Sequence, residues 1–310
     1  MFMKTLDRES YLKMIDVIIK EYLDTPEKER SLTKLGRKYG VKRQTIAKYL
    51  KERNIDVVNY QNRCRINETV FDTIDTEEKA YWLGFLYADG NISKEGHRLE
   101  VNLSMKDLDH LLKLKSFLKG DDLEIRIDTN KGEQYPMCRM SVRNEHLWNS
   151  LNDKGCVPCK SLILKWPHES IFTKKQLIRH FVRGYWDGDG TIGLYRGKYG
   201  IIFNFCVMGT YMFLKGVKDF IGFDGTLKNA STPSEPNNAW LLQYSSLKSR
   251  KAARLLYQNA NIYLERKYNI YQEFCRVEEE SSTLQSSKIG ESWDADPEVI
   301  SEITKGSETL

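Results

Sequence analysis

Apolar positions in this chain change their period several times. Over residues 11–23, Leu12, Ile15, Ile18, Ile19 and Leu23 recur close to helical spacing. Thr25-Pro26 then breaks the pattern and opens another turn. Residues 1–55 carry few strand signals and are expected to be all helical. Residues 56–73 are mixed and polar, as in a linker. From Asp75 a helix, then strands, then a helix are expected, and the plan occurs twice. Asp75-Thr76-Glu77-Glu78 is a capping box opening a helix that runs through Leu83 and Phe85 to Asp89-Gly90. Strict alternation follows over 98–105, 123–128 and 138–143. There Leu99, Val101, Leu103 and Met105, then Leu123, Ile125 and Ile127, then Cys138, Met140 and Val142 share one face. Such segments are half-buried antiparallel strands with polar outer faces.

The second pass opens on another capping box, Thr173-Lys174-Lys175-Gln176, and its helix ends at Asp189-Gly190. Alternation returns at 201–207 (Ile201, Phe203, Phe205, Val207) and at 240–244 (Trp240, Leu242, Tyr244). Helices are expected near 247–258 and 264–275. The expected organisation is an all-helical head over 1–58, a linker over 59–73, one α+β repeat over 74–171 and a second over 172–276. A Ser-rich, acidic tail over 277–310 has a composition compatible with disorder, although Trp293 and the cluster at Val299, Ile300 and Ile303 could dock.

Charge sharpens this division. The chain's net +5 conceals a tail with nine acidic residues and two lysines. Without that tail, 46 lysines and arginines face 34 acidic residues, so the body is basic and suits a polyanion. The chain is 40% hydrophobic and 29% charged, with no apolar run of the roughly 20 residues a membrane span requires. The first residues have no signal-peptide pattern, so a cytoplasmic protein without membrane association is expected. The six cysteines are scattered, and Cys156-Val157-Pro158-Cys159 has no second pair or histidine pair nearby to complete a zinc site. Ordinary reduced thiols are expected.

The candidate chemistry lies at the two helix ends. Trp82-Leu83-Gly84-Phe85-Leu86-Tyr87-Ala88-Asp89-Gly90 and Val182-Arg183-Gly184-Tyr185-Trp186-Asp187-Gly188-Asp189-Gly190 share a glycine, a small residue four later, then Asp-Gly. Gly84 with Ala88, and Gly184 with Gly188, fall on one helix face each. Small residues at that spacing let two helix backbones approach closely. Packed together, the helices would deliver Asp89 and Asp189 side by side at the foot of the seam. Carboxylates there face the negative ends of two helix dipoles and each other, which is unfavourable unless a cation offsets it. Two divalent ions about 4 Å apart can clamp the attacking and leaving oxygens of a phosphodiester.

These paired motifs resemble the signature helices of the LAGLIDADG homing endonucleases in their single-chain form, over about residues 74–276. The resemblance implies a duplicated αββαββα fold with pseudo-twofold symmetry and a saddle of two antiparallel sheets lying in the major groove. It implies site-specific cleavage of double-stranded DNA, as in intron homing, at a long, partly pseudo-palindromic target, by a monomer. It makes Asp89 and Asp189 metal ligands for Mg²⁺ or another divalent cation such as Mn²⁺, with the carbonyls of Ala88 and Gly188 as further ligands. It also places a lysine near each centre, matched here by Lys160 and Lys267. Departures from the pattern are Trp82-Leu83 and Val182-Arg183 in place of Leu-Ala, and bulky Tyr185-Trp186 in the second helix. Arg183 is expected to face outward.

Residues 31–50 resemble a helix-turn-helix. Ser31 would cap the first helix, Gly40 suits a left-handed turn, and Leu35, Val41, Ile46 and Leu50 are spaced as a small core. Lys42, Arg43, Gln44, Thr45 and Lys48 would then face DNA. Candidate contacts from the sheets are Arg98, Asn102, Arg126, Arg139, Arg143, Arg196, Lys198, Asn204 and Gln243. Two other readings fit the residues: an RNA maturase assisting intron splicing, and a DNA-binding regulator of the same fold that has lost cleavage. A regulator would be expected to lose an acidic ligand, and both aspartates are present. An intein is not expected, because the ends carry no splicing nucleophile and no His-Asn.

Overall fold

The computed structural model describes residues 7–26, 29–57, 65–128, 136–198, 200–230 and 238–291. They fall into two compact units, Met1–Asn67 with Lys115–Glu124, and Glu68–Leu114 with Ile125–Leu310.

The first unit opens with three helices, α1 (Arg8–Asp24), α2 (Leu32–Tyr39) and α3 (Arg43–Glu52). The Asp7 carboxylate accepts from the amides of Glu9 and Ser10 at 2.9 Å and so caps α1. Ser31 caps α2 through the Lys34 amide. Gly40, at φ 69°, turns the chain in the left-handed region that side chains disfavour. Ile15, Ile18, Ile19 and Tyr22 from α1 meet Leu35, Val41, Ile46 and Leu50 in one buried core. The four positions expected to form the small core are therefore in it.

The second unit repeats one plan. Its first copy is α4 (Glu77–Ala88), β1 (Gly90–Ser93), β2 (Arg98–Ser104), α5 (Leu108–Phe117), β3 (Ile125–Asp128), β4 (Met137–Arg143) and α6 (Glu145–Asp153). The second is α7 (Ile178–Asp189), β5 (Gly190–Gly197), β6 (Gly200–Gly209), α8 (Tyr211–Ile221), β7 (Thr226–Asn229), β8 (Trp240–Tyr244) and α9 (Ser246–Tyr257), followed by α10 (Glu265–Glu291). The sheets are antiparallel with matching orders, β1-β2-β4-β3 and β5-β6-β8-β7. This is a duplicated αββαββα fold. Alternation holds: Leu99, Val101, Leu103, Cys138, Met140, Val142, Phe203, Phe205, Val207, Leu242 and Tyr244 are buried. Ile127, on an edge strand, and Ile201, near the start of β6, depart from it at 56% and 37% exposure. Met105 falls in a 3₁₀ turn after β2.

Helices α4 and α7 are buried over most of their length, α4 with apolar side chains and α7 with His180, Arg183 and Asp187 among its buried residues. Ala80 to Tyr87 are buried without a break, and so are His180 to Asp187. Their backbones touch. A Cβ on Gly84 would lie 1.9 Å from the Phe181 carbonyl oxygen, and one on Gly184 would lie 1.9 Å from that of Tyr81. The contacts are reciprocal, as a local twofold demands. One step on, a Cβ on Gly188 would meet the Ala88 Cβ at 2.3 Å. Alanine in one copy thus requires glycine in the other.

Several expectations fail for physical reasons. Arg183 does not face outward: it is fully buried. Its guanidinium donates to the carbonyls of Ile262 and Leu256 at 2.9 Å and pairs with Glu77 at 2.7 Å. The same Glu77 accepts from the Asn261 amide and side chain at 2.8 Å. The second capping box does not form. A 3₁₀ turn (Lys175–Leu177) leads into α7 without a side-chain cap, and the Thr173 hydroxyl donates to the Ile74 carbonyl. The first box caps only through Thr76, which accepts from the Lys79 amide. Of the expected linker, residues 59–64 lie outside the described residues, while Val70 and Phe71 are core. The last helix runs beyond 276 because Glu278 binds Arg250 and Arg254 of α9 at 3.1 and 2.7 Å. Residues 292–310, including Trp293, Val299, Ile300 and Ile303, lie outside the described residues.

The seam gives a stability expectation. Gly84→Val or Gly184→Val drives a side chain into facing backbone and should cost ~3 kcal/mol or more. Ser141→Ala, on an exposed strand face, should stay within about 0.5 kcal/mol of the parent. Urea denaturation measures both, and equal stability of all three variants would contradict the close approach.

Candidate active site

Each motif helix ends in an aspartate and passes straight into a strand. Asp89 caps α4, its amide donating to the Phe85 carbonyl at 2.9 Å, and Gly90 begins β1 paired with Val101. Asp189 ends α7, and Gly190 begins β5 paired with Val207. Because the helices touch, the two ends meet. The Asp89 Oδ2 lies 3.2 Å from where a Gly188 Cβ would stand. Burial and the Asp189 charge together push the Asp89 carboxyl up to about 6, partly opposed by Lys267 and Lys160. Asp189 is also raised by desolvation, opposed by the neighbouring Tyr185 hydroxyl and the charges of Lys160 and Lys267. Asp89 is half-buried, whereas Asp189 keeps solvent exposure although crowding protein atoms raise it.

The two lysines occupy equivalent places with unequal surroundings. Half-buried Lys160 donates its ammonium to the Gly90 carbonyl. Lys267, at 3% exposure, donates to the carbonyls of Asp187 at 2.6 Å, Trp186 at 2.9 Å and Gly190 at 2.5 Å, with Gly188 at 3.3 Å. It thereby satisfies carbonyls left orphaned at the end of α7. Desolvation lowers Lys267 to about 8, against the attraction of Asp187, Asp89 and Asp189. The Gly188 carbonyl, expected to serve a metal, faces this ammonium.

Three groups escaped the sequence reading. Asp187 is buried and accepts from the hydroxyls of Tyr81 at 2.7 Å and Tyr257 at 2.5 Å and from the Leu264 amide at 2.8 Å. Burial raises its carboxyl despite Lys267 and these donors. Tyr185 donates to the Met208 carbonyl at 3.0 Å and borders Asp189. His110, buried and 3.1 Å from the Tyr81 hydroxyl, is lowered to about 3 by desolvation. The doubled acid of Asp187-Gly188-Asp189 was the available signal for the first.

A divalent cation fits this donor set. Two carboxylates converge where desolvation raises both and the Asp189 charge raises Asp89 further, and a bound cation would remove that penalty. Among the described residues no group of three or more His, Cys, Asp or Glu side chains gathers into a ligand cluster. Any further ligands would therefore be carbonyls, water or substrate oxygens. Cys156 is buried, its thiol raised to about 11 by desolvation, and Cys159 is exposed; neither is paired.

The candidate DNA contacts on the strands take the face opposite the core. Arg98 stands across from Arg143, and Asn102 and Arg126 flank Arg139 on either side. Arg139 pairs with Asp128 at 2.5 Å, and Arg98 lies 3.6 Å from Glu100. On the second sheet Asn204 stands opposite Gly193, and Gln243 accepts from Lys228 at 3.1 Å. Lys198 is exposed in the β5–β6 turn, and the Arg196 side chain lies outside the described residues. That outer face also carries Tyr195, Ile202 and Met208, each about half exposed, which alternation alone did not single out. In the first unit Lys42, Arg43, Gln44 and Lys48 are exposed and Thr45 is partly so. Among the described residues no helix is long and apolar enough to cross a membrane.

No family model matches the sequence, and no curated protein matches it. Similar solved structures include the meganuclease I-SmaMI bound to uncleavable DNA, at 14% identity over 65% of this chain and 90% of that one, TM-score 0.44. The LAGLIDADG homing endonuclease I-LtrWI bound to target DNA is 14% identical over 70% of this chain and 92% of that one, TM-score 0.43. The LAGLIDADG homing endonuclease I-GzeII in complex with its DNA target is 15% identical over 74% and 97%, TM-score 0.38.

Proposed function

We propose that the chain is a site-specific endonuclease that cuts both strands of duplex DNA with divalent metal ions held at Asp89 and Asp189. The observation that carries this reading is the convergence of two carboxylates, each from one half of a duplicated fold, where the protein itself disfavours their charge. A duplex has its own dyad, so a protein with a local twofold meets its two strands with equivalent groups. Mg²⁺ or Mn²⁺, when bound, would neutralise phosphate charge and acidify the attacking water. The chain's own residues do the rest. Asp89 and Asp189 hold the ions. Lys160 and Lys267 place positive charge beside the carboxylates, where it also counters charge building on the phosphate. The polar outer strand faces contact base edges and phosphates, as does the exposed basic face of α3 in a helix-turn-helix head. The reading implies a monomer acting on a long, partly pseudo-palindromic target inside the cell.

Asp89→Asn or Asp189→Asn should lower double-strand cleavage at least about a thousandfold, roughly 4 kcal/mol of transition-state stabilisation. DNA affinity should change little. Single-turnover cleavage with Mg²⁺, beside a gel-shift titration, measures both, and an Asn variant that still makes double-strand breaks at the parent rate would refute the assignment. The same proteins in an intron-splicing assay test the maturase reading.

The raised Asp89 carboxyl sets a pH dependence. Its folded value of about 6 lies above the ordinary aspartate value, so in metal-free protein this group stabilises the fold most below the ordinary value. That contribution is lost as pH rises through about 6. A cation competes with that proton. The rise in melting temperature on adding Mg²⁺ should therefore grow between about pH 5 and 7, and a rise independent of pH would count against Asp89 as a ligand. Removing residues 1–58 should weaken DNA binding and flatten its salt dependence, because phosphate contacts are lost. Metal-dependent nicking should survive, and filter binding across a salt series distinguishes these outcomes.

A further inference from the structure

Each lysine beside the paired aspartates is reached by a segment outside the motif helices, and one position in each helix holds that segment. Aligning the motifs on their terminal aspartates matches Tyr87 with Asp187. In the first copy the Tyr87 hydroxyl donates to the carbonyl of Lys154, at the end of α6. The chain passes under it at Gly155, whose φ is 90° and where a Cβ would lie 2.3 Å from the Tyr87 hydroxyl. Cys156 then rests its thiol on the Leu86 carbonyl at 3.5 Å, and Lys160 follows. In the second copy the Asp187 carboxylate accepts from the Leu264 amide at 2.8 Å, immediately before α10. The Leu264 carbonyl accepts from the Lys267 amide at 3.0 Å, so Lys267 sits in the first turn beyond the latch. Tyr81 of α4 and Tyr257 of α9 also donate to the Asp187 carboxylate.

One position thus does one task with opposite polarity, a donor in the first half and an acceptor in the second. A buried carboxylate is a costly way to fill a core position. Three donors converge on this one, from α4, from α9 and from the backbone leading into α10. Removing its charge leaves two hydroxyls and an amide sharing weaker acceptors.

We infer that Asp187 and Tyr87 are positioning residues, each latching the lysine segment of its own half, so that each governs the cut of one DNA strand. The inference rests on the nuclease reading above and goes beyond it by assigning a strand to each latch. Neither residue touches substrate; each acts through its lysine.

The test uses the full chain with Mg²⁺ and a duplex selected for cleavage from a randomised library, labelled separately on each strand. Lys267→Met and Lys160→Met first define which strand depends on which lysine. Asp187→Asn should slow the Lys267 strand about tenfold or more, as a small misplacement of a reacting group does, and the other strand less than about twofold. Tyr87→Phe should reproduce the opposite bias. Tyr257→Phe, which removes one hydroxyl and keeps the ring, should slow the Lys267 strand by a smaller factor and serves if Asp187→Asn does not fold. Dissociation constants for the duplex should match the parent's. A role confined to folding would slow both strands alike, and that result in Tyr257→Phe or Tyr87→Phe overturns the inference while leaving the nuclease intact. Parent protein that cuts no member of the library overturns both.

Discussion

Two helix backbones can touch only where no side chain points into the contact, and the body of this protein is built around such a contact. Gly84 lies against the Phe181 carbonyl and Gly184 against that of Tyr81. From this approach follows the meeting of the helix ends, and from that the crowding of Asp89 and Asp189. The sheets inherit the same symmetry, because each strand β1 and β5 begins at the residue after its aspartate. Nothing in the strands themselves would bring the two carboxylates together.

That crowding is unfavourable in isolation. Desolvation by the surrounding protein disfavours both charges, the Asp189 charge further disfavours that of Asp89, and both face the negative ends of helix dipoles. The surroundings answer with cations of different character. Lys160 keeps solvent contact and makes one carbonyl bond, whereas Lys267 is sunk among the last carbonyls of α7. The two halves therefore reach similar electrostatics by different packing.

Most of the architecture was legible because it rests on period and spacing. Alternation at 98–105 and 201–207 marked strands whose inner residues are core, apart from Met105 and Ile201 at their ends. The glycine spacing in the two motifs implied a close seam. The head's core at Leu35, Val41, Ile46 and Leu50 could be read from periodicity and a single turn glycine. What stayed hidden depends on partners distant in sequence. Arg183 looked out of place in a buried helix because its acceptors, Ile262, Leu256 and Glu77, lie far along the chain. The role of Asp187 stayed hidden because its partners Tyr81 and Leu264 lie far from it in sequence. Val70 and Phe71 looked like linker because two apolar residues have no period. The acidic stretch after 276 looked unstructured because composition does not reveal that Glu278 finds Arg250 and Arg254.

The Glu77–Arg183 pair also bears on how such a chain can diverge. Glu77 belongs to the first half and Arg183 to the second, and the corresponding positions hold Leu177 and Leu83. Two copies of the first half alone would leave half-buried carboxylates without their guanidinium, and two copies of the second would bury unanswered guanidiniums, the latter at a cost of several kcal/mol. The repeats have become lock and key to one another. Neither could be exchanged for its sibling, and drift in either is checked by what the other already contains.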